Sequence, residues 1–503
     1  MVNVPLKSLY TFIGLSLVLV AWSFASPVGS SADEFSHLQR TYCYTGSDVC
    51  PSASKFVDMP AQLVVGVSDC WTTPNFQIVS KCELNTARQS YIQIEKPFPG
   101  TYSSVFYRTM ALFHLNNIPL SVALMRTFNS LLMAIVAGFS FHLLRNDYKY
   151  NVNVLILLLP NVSFFVASVN PTSWSIAAMY GLVCSLISLH QVGANRANCI
   201  LAVFSLALSF FGRPDTKYWS ILALSAAGLI WLTTHKSSLG NLFRFSSIAA
   251  SVGLLVTFFL NFGDLRKYQL STFSDSVISN PLTLLFHNLR KSPQFISHIV
   301  SSDSGSYASS YLAKPFVIAL NCLILYLLVK CIQYSSVNVR ALIASAIGLI
   351  LVFINGFHFI WGLTIFDSIQ PRYFLPILVV FFLLMGIESN HRLNKRSCGF
   401  LYICSFFLVF FSIHTTLRRW SVGLFEFQKS GMFEYTKNGQ STYFSLRTEN
   451  WIEHLKDLLF ISPKWSSIVF GGNWAVLLVA ITGCSLLIYS MQQIEPRLKE
   501  SFK

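Results

Sequence analysis

Asp33 and Glu34 stand side by side, with His37 four residues after the first acid and three after the second. On a helix that spacing brings an acid and an imidazole onto one face, which suits proton removal from a hydroxyl. Ser31-Ala32-Asp33-Glu34 also fits a capping box, with Ser31 as N-cap and Glu34 reaching back, so a helix is predicted to begin here. A cap uses only Glu34. Asp33 and His37 are left without a structural role, and the pair of acids is expected to be catalytic. Asp33, Glu34 and His37 are also the set that would hold a divalent metal, if one is used.

Other polar groups lie where apolar spans end: Asn170 before Pro171, Arg213-Pro214-Asp215, and Gln370-Pro371-Arg372-Tyr373. Each proline has a local reason to end or start a helix, and each arginine a reason to snorkel. Their placement on one face nonetheless predicts a substrate-binding cluster of His37, Asn170, Arg213, Asp215, Gln370, Arg372 and Tyr373, in which guanidinium groups grip phosphate. Arg126, with Asn129 one turn on, is expected to snorkel or bond between helices rather than to do chemistry. Glu453 and His454 fit a solvated face, and the Asn161-Val162-Ser163 sequon is discounted because it lies in a span.

The elements that must position these residues are membrane helices. Of the 503 residues, 53% are hydrophobic and only 11% are charged, and the mean hydropathy is +0.53. No water-soluble domain of this size tolerates such a balance. The net charge of +15 is scattered between apolar runs, which argues for positive-inside topology and against nucleic acid. About twelve runs are long enough to cross a bilayer. They lie near 8–26, 120–144, 151–168, 172–191, 197–212, 217–234, 244–262, 315–333, 340–360, 372–388, 398–417 and 468–490.

The first run is expected to be retained, since its apolar stretch is long and Phe24-Ala25-Ser26-Pro27 makes a poor cleavage site. Lys and Arg gather in alternate short loops, which predicts cytoplasmic termini and long outer segments near 27–119, 263–314 and 418–467. The fold class is therefore an all-α integral membrane protein whose outer loops carry short surface helices. Residues 1–420 form the main transmembrane domain, and 421–503 a last outer loop and helix. Cys43, Cys50, Cys70 and Cys82 share the first outer segment; disulfides fit an even set in an oxidising compartment, with a zinc site as the alternative.

A first helix followed by Pro27, Asp33, Glu34 and His37, then Gly212-Arg213-Pro214, then the run Gln370 to Pro376, resembles bacterial membrane proteins of domain-of-unknown-function family 2142. That family is grouped with the GT-C integral-membrane glycosyltransferases, and the likeness covers roughly residues 8 to 420. Pro371 departs from it, standing where the pattern has glycine. The resemblance implies sugar transfer from a polyprenyl-phosphate donor to a cell-envelope glycan or cell-wall polymer at the outer face of the bacterial plasma membrane. It also implies roles: Asp33 as general base, Glu34 assisting or binding acceptor, Arg372 holding the donor phosphate. No nucleotide-binding fingerprint is present. The rival readings are a lipid-linked glycan flippase or solute carrier, a polysaccharide polymerase, and a non-catalytic assembly partner.

Overall fold

The computed structural model describes residues 6–26, 28–29, 31, 33–45, 56–61, 63–64, 91–95, 102–144, 154–221, 223–225, 281–300, 371–376, 395–421, 426–427, 433–437, 440–444 and 473–492, together with 318, 320–322, 324–326, 329, 333 and 355.

The chain is mostly helical. In order run α1 (Leu6–Ala25), α2 (Glu34–Cys43), β1 (Phe56–Pro60), β2 (Tyr91–Glu95), α3 (Ser104–Ala111), α4 (Ile118–Leu143), α5 (Pro160–Val166), α6 (Thr172–Val192), α7 (Arg196–Phe211) and α8 (Pro281–Val300). A 3-10 turn at Pro371–Phe374 follows, then α9 (Lys395–Ser421), β3 (Glu426–Phe427), β4 (Phe433–Lys437), β5 (Gln440–Phe444) and α10 (Asn473–Gln492). Among the described residues, four helices are long and apolar enough to cross a membrane: Leu6–Ala25, Ile118–Leu143, Thr172–Leu189 and Asn473–Ser490. The expected spans near 244–262 and 340–360 fall almost wholly outside the described residues.

Two expectations need correcting. The run near 151–168 is not one helix: residues 154–157 are helical, Leu159 is extended, and α5 begins at Pro160. Proline has no N–H to continue the ladder and restricts the residue before it, so the helix restarts there. The chain is also not all-α, because β1 pairs antiparallel with β2, and β3, β4 and β5 form a small antiparallel sheet. Alternating, β-rich runs such as Tyr91-Ile92-Gln93-Ile94 outweigh helix propensity there.

The core is a helix bundle in which α1 is central. Leu15, Leu19 and Trp22 on α1 and Met125, Met133 and Ala137 on α4 are all buried. Ser23 and Ser130 hydrogen-bond across that interface at 2.9 Å. On its other flank α1 runs antiparallel to α10, with Thr11 bonded to Ser490 at 3.2 Å and Tyr10 edge-on to Tyr489. The backbones meet at two glycines: a Cβ on Gly14 would sit 2.8 Å from the Gly483 carbonyl oxygen, and one on Gly483 would sit 2.7 Å from that of Gly14. Small residues are what allow such an approach between apolar helices. Gly14→Leu is expected to push α10 off α1 at an overpacking cost of about 1–3 kcal/mol. A lowered melting temperature of the purified protein checks this; an unchanged one contradicts the close crossing.

Caps set the ends of the site-bearing helices. Ser103 accepts from the Val105 amide to start α3, Asn117 from Leu120 to start α4, and Asn195 from Asn198 to start α7. Such caps fill donors that the first helical turn leaves unpaired.

Candidate active site

The bend between α1 and α2 is held by a carboxylate inside the bundle. Glu34 is fully buried; its Oε1 accepts from Arg126 Nε at 2.8 Å and from the Val169 amide at 2.9 Å. Its Oε2 accepts from the Gly29 amide at 3.0 Å and from Arg126 Nη2. Arg126 Nη1 in turn donates to the carbonyls of Ser23 at 3.1 Å and Ser26 at 2.6 Å. One turn along α4, Asn129 donates to the Ser168 carbonyl at 2.8 Å and accepts from Trp174 Nε1 at 3.0 Å. The end of α1, the bend, the 168–169 turn and the start of α6 are thus tied to two side chains of α4.

This arrangement replaces the expected capping box. Asp33, not Ser31, precedes the first helical residue, and the Ser31 hydroxyl is buried without a hydrogen bond to a described residue. An N-cap bond is worth about 1 kcal/mol, whereas a buried guanidinium left unpaired costs several times more. Arg126 therefore draws Glu34 inward. The fork-to-fork geometry is that of a structural ion pair, which gives Glu34 a fixed place in the bundle that its position next to Asp33 did not suggest.

Asp33 goes the other way. Its backbone is left-handed, with φ 57°, and it is the only non-glycine with positive φ among the described residues. Strain of this kind persists where surroundings over-determine it and gathers at functional sites. The side chain is half-buried. His37, one turn later, is buried, shares a 3.0 Å hydrogen bond between Nδ1 and the Tyr107 hydroxyl, and meets the Tyr102 ring edge-on at 5.3 Å. The Arg40 guanidinium lies over Tyr107, 4.9 Å from its centroid.

The distant segments arrive on the same side. Arg213 stacks over the Tyr373 ring at 4.2 Å, donates from Nε to Asp215 Oδ1 at 2.9 Å and from Nη1 to Thr172 Oγ1 at 3.3 Å. Its Nη2 donates to no described residue. Ser175 accepts from the Arg213 amide at 3.2 Å, pinning the segment to α6. Burial pushes the Tyr102 phenol up to about 12; Arg213 pulls it down, while Tyr373, Asp33 and Asp215 push it up. All four groups thus lie within electrostatic reach of Tyr102. Burial raises the Tyr107 phenol as well, so both hydroxyls stay protonated, and able to donate, at neutral pH.

The expected residues fall into three groups. Asp33, His37, Arg213, Asp215 and Tyr373 are brought together around Tyr102. Asn170 is buried and accepts from the Thr172 amide at 2.9 Å, a turn-forming role. Gln370 lies outside the described residues, as does the Arg372 side chain, although its backbone belongs to the 3-10 turn. Pro371 opens that turn, a position its fixed φ suits. Among the described residues no group of three or more His, Cys, Asp or Glu could hold a metal, and Asp33, Glu34 and His37 do not converge as one. Cys43 is disulfide-bonded; Cys50, Cys70 and Cys82 lie outside the described residues.

Tyr102, Tyr107 and Arg40 had no spacing that marked them. Arg126 and Asn129 did carry a signal, an ionisable group and an amide one turn apart on an apolar helix, and the structure bears out interhelical bonding.

A family model described as a predicted membrane protein, DUF2142, matches residues 15–381. No curated protein and no solved structure matches the chain.

Proposed function

For a chain that belongs to the DUF2142 family of predicted membrane proteins, we propose glycosyl transfer of the GT-C type as the activity of the Tyr102-centred cluster. The donor is a polyprenyl-phosphate sugar and the acceptor a cell-envelope glycan or cell-wall polymer. The reaction runs at the extracytoplasmic face of a bacterial plasma membrane that the chain crosses about twelve times, with both termini in the cytoplasm.

One observation carries the reading: Arg213 stacks on Tyr373 at 4.2 Å, both lie within electrostatic reach of Tyr102, and Tyr102 meets His37, one turn from Asp33, at 5.3 Å. Glu34 and Asp215 pair with Arg126 and Arg213, and Asp33, half-buried and within electrostatic reach of Tyr102, is the acid assigned to take the proton. In the proposed step Asp33 accepts the proton of an acceptor hydroxyl as its oxygen bonds the anomeric carbon. The bond from that carbon to the phosphate oxygen breaks, and polyprenyl phosphate leaves with the electron pair. Arg213, through Nη2, and Arg372 meet the charge that develops on the leaving phosphate. Tyr373 and Asp215 fix the Arg213 fork for that task. A single displacement on a β-linked donor inverts the anomeric centre.

Transport of a lipid-linked glycan is the rival reading. It has the buried Glu34–Arg126 pair as a conceivable coupling element, but that pair also binds four backbone groups, which favours a fixed strut over a moving one. Sugar and linkage analysis of envelope glycans from a deletion strain tests the proposal. The expected result is the loss of one glycosidic linkage, restored by the wild-type gene. Full-length glycan accumulating on the lipid carrier inside the cell, with every linkage intact, speaks for transport instead.

A further inference from the structure

Helix α8 divides into three sectors. Leu284, Asn288, Ser292, Phe295 and Ile299 are buried, spaced to form one face of the helix. That face is anchored by Phe295 edge-on to Phe374 at 5.7 Å and by Asn161 Nδ2 donating to the Ile299 carbonyl at 3.1 Å. A second stripe, Leu282, Phe286, Leu289, Pro293 and Ile296, follows the same helical repeat and is exposed, at 64% for Leu282, 69% for Phe286, 48% for Leu289 and 39% for Ile296. Between the two lies a polar sector of Thr283, His287, Arg290, Lys291 and Gln294. Neither Arg290 nor Lys291 makes an ion pair with a described residue.

A helix with Asn288, Arg290, Lys291 and Gln294 at its middle is poorly suited to spanning hydrocarbon, and α8 is not among the helices apolar enough to cross. Large apolar side chains exposed beside a basic sector are the signature of a helix lying in a bilayer surface, its apolar stripe among acyl chains and its cations at headgroup level. We propose that α8 is such an interfacial helix, with Leu282, Phe286, Leu289 and Ile296 sunk in the membrane and Arg290 and Lys291 on anionic phospholipid phosphates. Its buried face then transmits the position of the bilayer surface, through Phe295 and Phe374, to the 3-10 turn that carries Tyr373. The inference stands on the membrane class of the chain and does not depend on transfer chemistry.

The test places p-benzoylphenylalanine at position 286, or at 282 as a second exposed site, and at 284 as the buried control. The full-length protein is held in nanodiscs of phosphatidylcholine and phosphatidylglycerol. After irradiation, mass spectrometry is expected to find lipid adducts at 286 and 282 and intramolecular adducts at 284. The ratio of phosphatidylglycerol to phosphatidylcholine among the adducts should exceed the bulk ratio by about fivefold per basic residue, and Arg290→Gln with Lys291→Gln should return it to the bulk ratio. Adducts at 286 to another protein segment or a second copy overturn the proposal. So does a phosphatidylglycerol share equal to bulk and indifferent to the double substitution.

Discussion

Arg126→Met is expected to lower folding stability by about 3–5 kcal/mol, because it strands the Glu34 carboxylate where no water replaces its partner. Glu34 is fully buried and Arg126 nearly so. The loss also frees the Ser23 and Ser26 carbonyls and loosens the hold on Gly29 and Val169, so the end of α1 and the 168–169 turn should separate. Glu34→Gln should destabilise for the converse reason, leaving a guanidinium uncompensated inside the bundle. The double variant carries no buried charge and is expected to recover part of the loss, the non-additivity that marks a coupled pair. Denaturation of the purified protein, with membrane abundance as a cellular readout, measures all three. Additive losses across the two single variants and the double would contradict coupling.

Asp33→Asn is expected to behave oppositely. Asparagine has nearly the same shape and is among the few residues that tolerate the left-handed backbone found at this position. The side chain is half-buried, so the fold should melt as wild type does. If Asp33 is the general base, transfer should fall by about 100- to 10,000-fold, the contribution typical of positioned proton transfer. The rate of glycan product formation in membranes matched for protein level is the measurement. A rate within twofold of wild type, by the roughly 0.4 kcal/mol that such a ratio represents, would leave Asp33 no catalytic part.

The contrast between these adjacent acids could not be read from their spacing. Sequence placed both at the start of one short helix, and that helix is present as α2. What turned Glu34 inward was Arg126 on α4, a partner ninety-two residues away, and local pattern carries no information about such pairing. The long helices were legible for a simpler reason: α1, α4, α6 and α10 are each long apolar runs, and hydrocarbon length fixes their minimum extent. The convergence of Arg213 and Tyr373 was foreseen from topology, since both lie at ends of spans expected on one face. Tyr102 was not, because one tyrosine among the 20 in the chain has no mark until its neighbours are in place. The β4–β5 hairpin had a usable signal in Asn438-Gly439 between two alternating runs, outweighed by the apolar composition of the chain.

The account turns on Asp33 being the working acid and Glu34 the structural one. Its most direct test complements a deletion strain with wild type, Asp33→Asn or Glu34→Gln, and records envelope-glycan linkages alongside the melting temperature of each purified protein. The account predicts that Asp33→Asn melts with wild type yet fails to restore the missing linkage, while Glu34→Gln melts well below both. Full restoration of the linkage by Asp33→Asn would contradict it.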